Sequence, residues 1–283
     1  MIIIICIILL FHSQAFSQRG SSNKADIHSP SNIKKFANYL FCTNDYLRAA
    51  LEYEKYLNFT FNDTIEFKIG LSYLYTGDYK RSISWFRSIK SNSNYFNDAQ
   101  VQYFKSLFES GNYYNLRNEY VNKFNISEEA EKLYYFSYFF TDDILPSEKD
   151  FFSPFNSKEK EIVKNFYREK KDPPYKSETL ATLMSVIIPG AGKIYSGHIG
   201  DGIFAAIATG LCGYLAYDNF RAKHNFRGWI FSGLTAFFYA GNIYGSAASA
   251  QIYNAGIQFD FEKEVRLYLK QQNYFTPEYD FCK

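Results

Sequence analysis

The sequence predicts an all-α protein in two parts, a stack of repeated short helices followed by a small membrane-embedded helical hairpin. Three observations predict it. A short turn triplet ending in Tyr recurs at helical-hairpin spacing in the first half. Apolar stretches rich in Gly and Ala fill residues 179–256. Aromatic residues make up 20% of the chain, with 26 Tyr and 29 Phe among 283 residues, supplying rings for packing and for the water–lipid boundary. This length allows one large or two ordinary domains. A net charge of +2 makes no case for nucleic acid or an acidic substrate.

Residues 1–17, MIIIICIILLFHSQAFS, hold an apolar run from Ile2 to Phe11 and end in Ala15-Phe16-Ser17. Small residues at the third-last and last positions suit a signal peptidase, so the segment reads as a signal peptide cleaved after Ser17. No Lys or Arg precedes the run, and an uncleaved anchor is the alternative. Of the four Cys, Cys6 leaves with the signal and Cys212 sits in an apolar stretch. Cys42 and Cys282 are too far apart in sequence to imply a pair and read as lone thiols buried in helices.

The triplets Asn44-Asp45-Tyr46, Gly77-Asp78-Tyr79 and Gly111-Asn112-Tyr113 are spaced 33 and then 34 residues apart. Each lies between two aromatic-rich segments of helical period. In the clearest unit Gly70 lets two helices approach, Tyr73 packs between them, Gly77 turns the backbone, Ser82 is small at the crossing and Phe86 fills the core. The first unit matches with Ala37, Tyr46, Ala49 and Tyr53, and the third with Gly111, Tyr113 and Tyr120. There Phe104 and Leu116 are bulkier than the pattern asks. Over about residues 31–125 the chain resembles the tetratricopeptide repeat, a 34-residue helix–turn–helix unit. The resemblance implies a stack with a concave face lined by the first helix of each unit, extended to residue 140 by a further helix at 128–140. Carried over position by position, it nominates Lys34, Asn38, Phe67, Leu71, Tyr75, Val101 and Lys105 as contacts for a protein or peptide partner. Inter-repeat core is the plain alternative for the aromatics among them, Phe67 foremost. Sequons at Asn58, Asn62 and Asn125 matter only in a host that glycosylates exported proteins.

Residues 141–177 read as a charged linker, in which a charged helix from Phe155 onward is followed by a short rigid segment at Pro173-Pro174. Beyond it the composition inverts into a membrane domain at 178–256. Residues 179–188 are too short to cross a bilayer and suit an interfacial helix. Residues 202–217 and 228–250 read as two spans. Gly202, Ala206 and Gly210 recur every four residues, as do Gly241, Gly245 and Ser249. Helices in lipid associate through such small residues, so the two stripes are expected to meet, with Asn242 bonding across them. Arg221, Lys223 and Arg227 between the spans place that link in the cytoplasm and both flanks outside. Residues 257–283 read as an exposed C-terminal tail in which FEKEVRLYLKQQ (261–272) forms a short exposed helix.

VIIPGAGKIYSG (186–197) invites a phosphate-loop reading and fails it. A Walker loop needs G-x-x-x-x-G-K-[ST], whereas one residue separates Gly190 from Gly192 and Ile194 follows Lys193. The fuller pattern of Pro189, Gly190, Gly192, Tyr195 and Gly197 resembles the turn of small two-transmembrane-type domains, over about residues 178–255. Lys193 stands where that pattern often has Gln. The resemblance implies a membrane-surface turn, with the Tyr195 ring in lipid and its hydroxyl among headgroups.

The four His are scattered, and no metal, cofactor or catalytic constellation emerges. The chain therefore reads as a non-enzymatic, membrane-tethered interaction or scaffold protein of the bacterial cell envelope, its repeats in the periplasm and its hairpin in the inner membrane. Its partners are a protein or peptide ligand, the lipid bilayer and, through the spans, a membrane complex or oligomer, with no nucleic acid. The alternative makes the membrane domain the active part, as a subunit of a transport or envelope-assembly complex.

Overall fold

The computed structural model describes residues 28–122 and 127–282. The signal-peptide reading and the Asn125 sequon lie outside the described residues. All regular structure among the described residues is helical. Two compact units divide it: residues 28–134 with 276–282, and residues 135–275.

In the first unit α1 (Pro30–Cys42) pairs with α2 (Tyr46–Leu57), α3 (Asp63–Tyr75) with α4 (Tyr79–Ser88), and α5 (Phe96–Glu109) with α6 (Tyr113–Asn122). The unit boundary falls inside the next helix, α7 (Glu128–Phe136). The three hairpins turn alike. Asn44, Gly77 and Gly111 adopt φ of 63°, 78° and 71°. The Asn44, Gly77 and Gly111 N–H groups donate to Phe41, Leu74 and Phe108, and the next residues, Asp45, Asp78 and Asn112, donate to Leu40, Tyr73 and Leu107, at 2.9–3.1 Å. This paired closure satisfies carbonyls that a helix end leaves open, and it requires a left-handed residue. Glycine adopts that conformation freely and Asn tolerates it, which is why the triplets recur in sequence. Asp78 and Asn62 then cap α4 and α3 with their side chains, accepting from Arg81 N and Ile65 N at 3.1 Å.

The hairpins cross by setting small residues against rings. A Cβ on Gly70 would lie 2.5 Å from Phe86 Cε1, so the phenyl ring occupies the place of a side chain. Ser82 Oγ sits 3.0 Å from the Gly70 carbonyl and 2.9 Å from Ser106 Oγ, linking the second and third hairpins. Tyr53, Tyr73, Phe104 and Leu116 are fully buried, so the third hairpin closes on its larger residues. Burying each such ring stabilises the stack by about 1.5–3 kcal/mol.

The second unit holds α8 (Glu148–Phe151), α9 (Ser157–Lys171), α10 (Glu178–Ile187), α11 (Ala191–Tyr195), α12 (Ile199–Arg221) and α13 (Asn225–Gln271). Two expected boundaries are corrected. Residues 141–177 are not a bare linker: Phe151, Phe155, Phe166 and Tyr167 are buried with Phe139, Phe261 and Tyr268 in one aromatic cluster. The charged helix expected here is α9, opened by a capping box between Asn156 and Glu159, and its charges mask a buried face of Val163, Phe166 and Tyr167. Nor do residues 257–283 form an exposed tail. Residues up to Gln271 continue α13, whose 47 residues extend about 70 Å. Residues 276–282 belong to the first unit.

Among the described residues, α12 is the one helix long and apolar enough to cross a membrane, and 22% of its apolar window is buried. The expected meeting of the two small-residue stripes is also corrected. Gly210 and Gly241 have nothing within 4 Å of a Cβ position, and Gly245 lies against Lys193. The buried residues of α12 are Gly202, Ala205, Thr209 and Ala216. A repeat of four overshoots the 3.6-residue turn by about 40° per step, so a stripe drifts off the contact while a mixed three-and-four spacing stays on it.

Candidate binding groove

The first helices of the three hairpins, α1, α3 and α5, share a surface that is occupied. Residues 276–282 form neither helix nor strand and cross α5, α3 and α1 in that order. Thr276 Oγ1 lies 3.5 Å from Lys105 Nζ on α5. Gln102, 2% exposed, donates to the Tyr279 hydroxyl at 3.3 Å, and the Asp98 carboxylate interacts electrostatically with that hydroxyl. The Tyr279 ring meets Phe67 edge-on at 4.9 Å and stacks on Phe281 at 5.7 Å. Phe281 continues to Phe67, Tyr95 and Phe41 at 6.1–6.2 Å. Residue 282 closes the segment with a disulfide between Cys282 and Cys42, whose Cα atoms are 5.6 Å apart at a sequence separation of 240. The reading of two lone thiols is thereby corrected, because the fold supplies the proximity that spacing could not reveal.

Lys68 is the electrostatic centre of this surface. Its ammonium is 4.8 Å from the Phe281 ring centre, 5.5 Å from Phe41 and 5.7 Å from Tyr53, and it donates to Asn38 Oδ1 at 2.9 Å. Tyr53 donates to the same oxygen at 2.7 Å. Ring faces attract a cation, and a desolvated site strengthens that attraction. Burial, with a smaller push from the Lys34 charge, lowers the Lys68 ammonium to about 8. Burial also raises the Tyr279 phenol and the Asp98 carboxyl, and lowers Lys105.

The nominated residues separate into two groups. Phe67, Leu71 and Val101 are core, although Phe67 also touches the tail. Lys34 lies over the Tyr56 ring, Asn38 bonds Lys68 and Tyr53, Lys105 reaches Thr276, and Tyr75 is exposed beside Tyr46. Sequence reasoning missed Lys68, Asp98 and Gln102. Asp98, Gln102 and Lys105 fall at i, i+4 and i+7 on α5, one face of a helix, and that polar stripe in an aromatic-rich segment was the available signal.

The turn motif of the second unit is built from backbone contacts. Gly190 has φ 89°, and a Cβ there would fall 2.0 Å from the Gly202 carbonyl oxygen; one on Gly192 would fall 1.9 Å from that of Ala181. Asn242 Oδ1 accepts from Gly190 N at 3.0 Å, and its amide nitrogen is 3.5 Å from the Ser185 carbonyl oxygen. Ser185 Oγ accepts from Gly192 N at 2.9 Å and lies 2.6 Å from Ser246 Oγ. Asn242 therefore holds the turn and α10 rather than the stripe of α12. Tyr195 places its hydroxyl 3.3 Å from Ser177 N, tied to the start of α10, with the Lys176 ammonium 4.9 Å from its ring centre. Gly197 has φ 85° and closes α11 with the paired bonds seen in the first unit. Pro189 precedes this turn. Gly202 packs on Gly190 and Ile194, Ala206 is half-buried, and Ser249 is buried and donates to the Gly245 carbonyl. Among the described residues no group of three or more His, Cys, Asp or Glu is placed to hold a metal ion.

Over 70 residues, 24% of this chain and 67% of the relative, the sequence is 34% identical to Uncharacterized protein MJ1516 of Methanocaldococcus jannaschii. The chain belongs to the family of that protein. No protein-family model and no solved structure matches the chain.

Proposed function

We propose that the chain is a membrane-tethered interaction protein: a tetratricopeptide-like stack binds a peptide or protein segment through α1, α3 and α5, and a two-span hairpin fixes it to the inner membrane of a bacterium, the stack in the periplasm. The observation that carries this reading is the return of the chain. It leaves the first unit at residue 134 and rejoins it at 276. A water-soluble unit lies on one side of a bilayer, so any crossings between those points are even in number. α12 supplies one crossing, and the first half of α13 is the companion. Exposed Ile203, Phe204, Ile207 and Leu211 on α12, and Trp229, Ile230 and Phe237 on α13, form an outward apolar surface suited to lipid and costly in water. The Cys42–Cys282 disulfide supports an oxidising compartment for the stack. The basic link at 221–227 then faces the cytoplasm.

A photo-crosslinking residue at Tyr75 in intact cells tests the reading. It is expected to capture one discrete periplasmic protein, and a cysteine placed at Lys223 is expected to react only with membrane-permeant maleimides. Absence of any captured protein, or labelling of Lys223→Cys from the periplasm, defeats it. One observation favours the second reading, a membrane-complex subunit: Gly210 and Gly241 are exposed with open space beyond them, where another helix would approach.

A further inference from the structure

We infer that the groove over α1, α3 and α5 is a peptide site held shut by the chain's own residues 276–282, and that its external ligand is an extended peptide carrying two aromatic side chains at alternate positions, as in Tyr279-Asp280-Phe281. The inference rests on the interaction reading above and names the ligand class of that surface. The seated segment itself is the argument. It lacks helix and strand, and its ordering comes from what it touches. Phe67 receives both rings, Gln102 holds the Tyr279 hydroxyl, and Lys68 sits under Phe281. These are contacts to side chains spaced two apart, the spacing at which an extended chain presents the same face. Another peptide with the same spacing would meet the same groups.

The disulfide tethers the occupant at its far end in the oxidised chain, so an external ligand binds there by displacing the Tyr279 and Phe281 rings. Even with that bond absent, a tethered tail competes at an effective concentration of about millimolar, so a free ligand meets a site that is open only part of the time. The groove therefore discriminates by affinity and by the state of its own plug.

The probe is the fluorescein-labelled hexapeptide TPEYDF, residues 276–281, added to the full-length protein in detergent micelles. Oxidised wild type is expected to bind it at least 100-fold more weakly than protein ending at Phe275. Cys282→Ser is expected between them. Should the shortened chain fail to fold, the full-length triple variant Cys282→Ser, Tyr279→Ala, Phe281→Ala opens the groove while retaining the tail backbone. In either opened protein, Gln102→Ala and Lys68→Met are each expected to weaken the probe about 5-fold or more, and a probe with Ala at both aromatic positions is expected not to bind. Opened proteins that melt cooperatively yet refuse the probe overturn the inference, as does equal binding by oxidised wild type. A wild type whose Cys42 is disulfide-bonded to a second copy overturns the self-occupancy. Probe binding with nothing captured from Tyr75 leaves this inference standing and defeats the cellular reading; capture from Tyr75 with the probe refused by both opened proteins does the reverse.

Discussion

The helical stack and the hairpin of residues 199–250 bury opposite things. In the helical stack the large rings point inward, with Phe67, Phe86, Phe104 and Tyr73 almost wholly buried and small residues set against them. Over residues 199–250 of α12 and α13 the large apolar residues point outward, and the buried residues are Gly, Ala, Ser, Thr and Asn, whereas the far end of α13 buries Phe261, Val265, Tyr268 and Leu269. Water drives rings inward because apolar surface is costly there. On the membrane placement proposed above, lipid removes that drive for the hairpin, and helices then pack through backbone proximity and internal hydrogen bonds. Both units nonetheless close helices with the same left-handed turn: Asn44, Gly77 and Gly111 in one, Gly197 and Lys223 in the other. Turn geometry is a property of the backbone and does not change with the solvent; the burial pattern does.

The sharpest test of this contrast is a pair of identical substitutions. Phe86→Ala is expected to cost about 3–5 kcal/mol by emptying the space over Gly70. Phe204→Ala, on the outward face of α12, is expected to cost less than about 1 kcal/mol in micelles, where its ring meets detergent on both sides of the change. Comparable losses in thermal or denaturant melts would break the comparison. Next in size, Gly192→Val pushes a side chain into the Ala181 carbonyl, a backbone atom with little room to move. A loss of about 3 kcal/mol is expected for the hairpin. Cys42–Cys282 pairing, read by alkylation and mass, is expected to survive it.

Asn242→Ala leaves the Gly190 N–H without its partner in a buried site, and a loss of about 1–3 kcal/mol is expected. Asn242→Asp keeps the acceptor but adds a buried charge, so it is expected to be worse rather than better in melts at pH 7.

A pH series separates the units further. Lys68 has its folded value lowered to about 8, below its ordinary 10.5, so between these values the unfolded chain holds more protons and stability rises with pH. Tyr73 runs the other way: its phenol is raised to about 12, so the unfolded chain ionises first above pH 10 and stability falls. The first unit is therefore expected to gain stability from pH 8 to about 10 and lose it beyond. Lys68→Met is expected to reduce the gain, leaving the smaller part that the lowered Lys105 contributes, and a flat profile in wild type would contradict the buried ammonium. The smallest effect is at Lys223, a non-glycine residue at φ 63°. Lys223→Gly is expected to stabilise the hairpin by about 1 kcal/mol, whereas Gly197→Lys is expected to destabilise it by a similar amount.

Much of this was legible in the residues themselves. The 33- and 34-residue triplets marked three left-handed turns, Gly70 and Ser82 marked a close crossing, and the Gly190–Gly192 pair marked a tight approach. Such features recur because local backbone geometry admits few residue types. Other readings failed where locality ends. The charges at 158–171 concealed the inner face of α9, and a repeat of four in α12 was mistaken for its contact line.

The sequence by itself determined the helical class, the hairpin turns and the change of composition from a ring-filled stack to a glycine-rich hairpin. Only the tertiary structure decided what occupies the groove. Cys42 meets Cys282 across 240 residues, and Tyr279 and Phe281 meet Phe67 across more than 200. Periodicity carries information over a few helical turns. Contacts made by bringing the chain's end back to its beginning depend on the summed path of all the elements between, and no short pattern encodes that path.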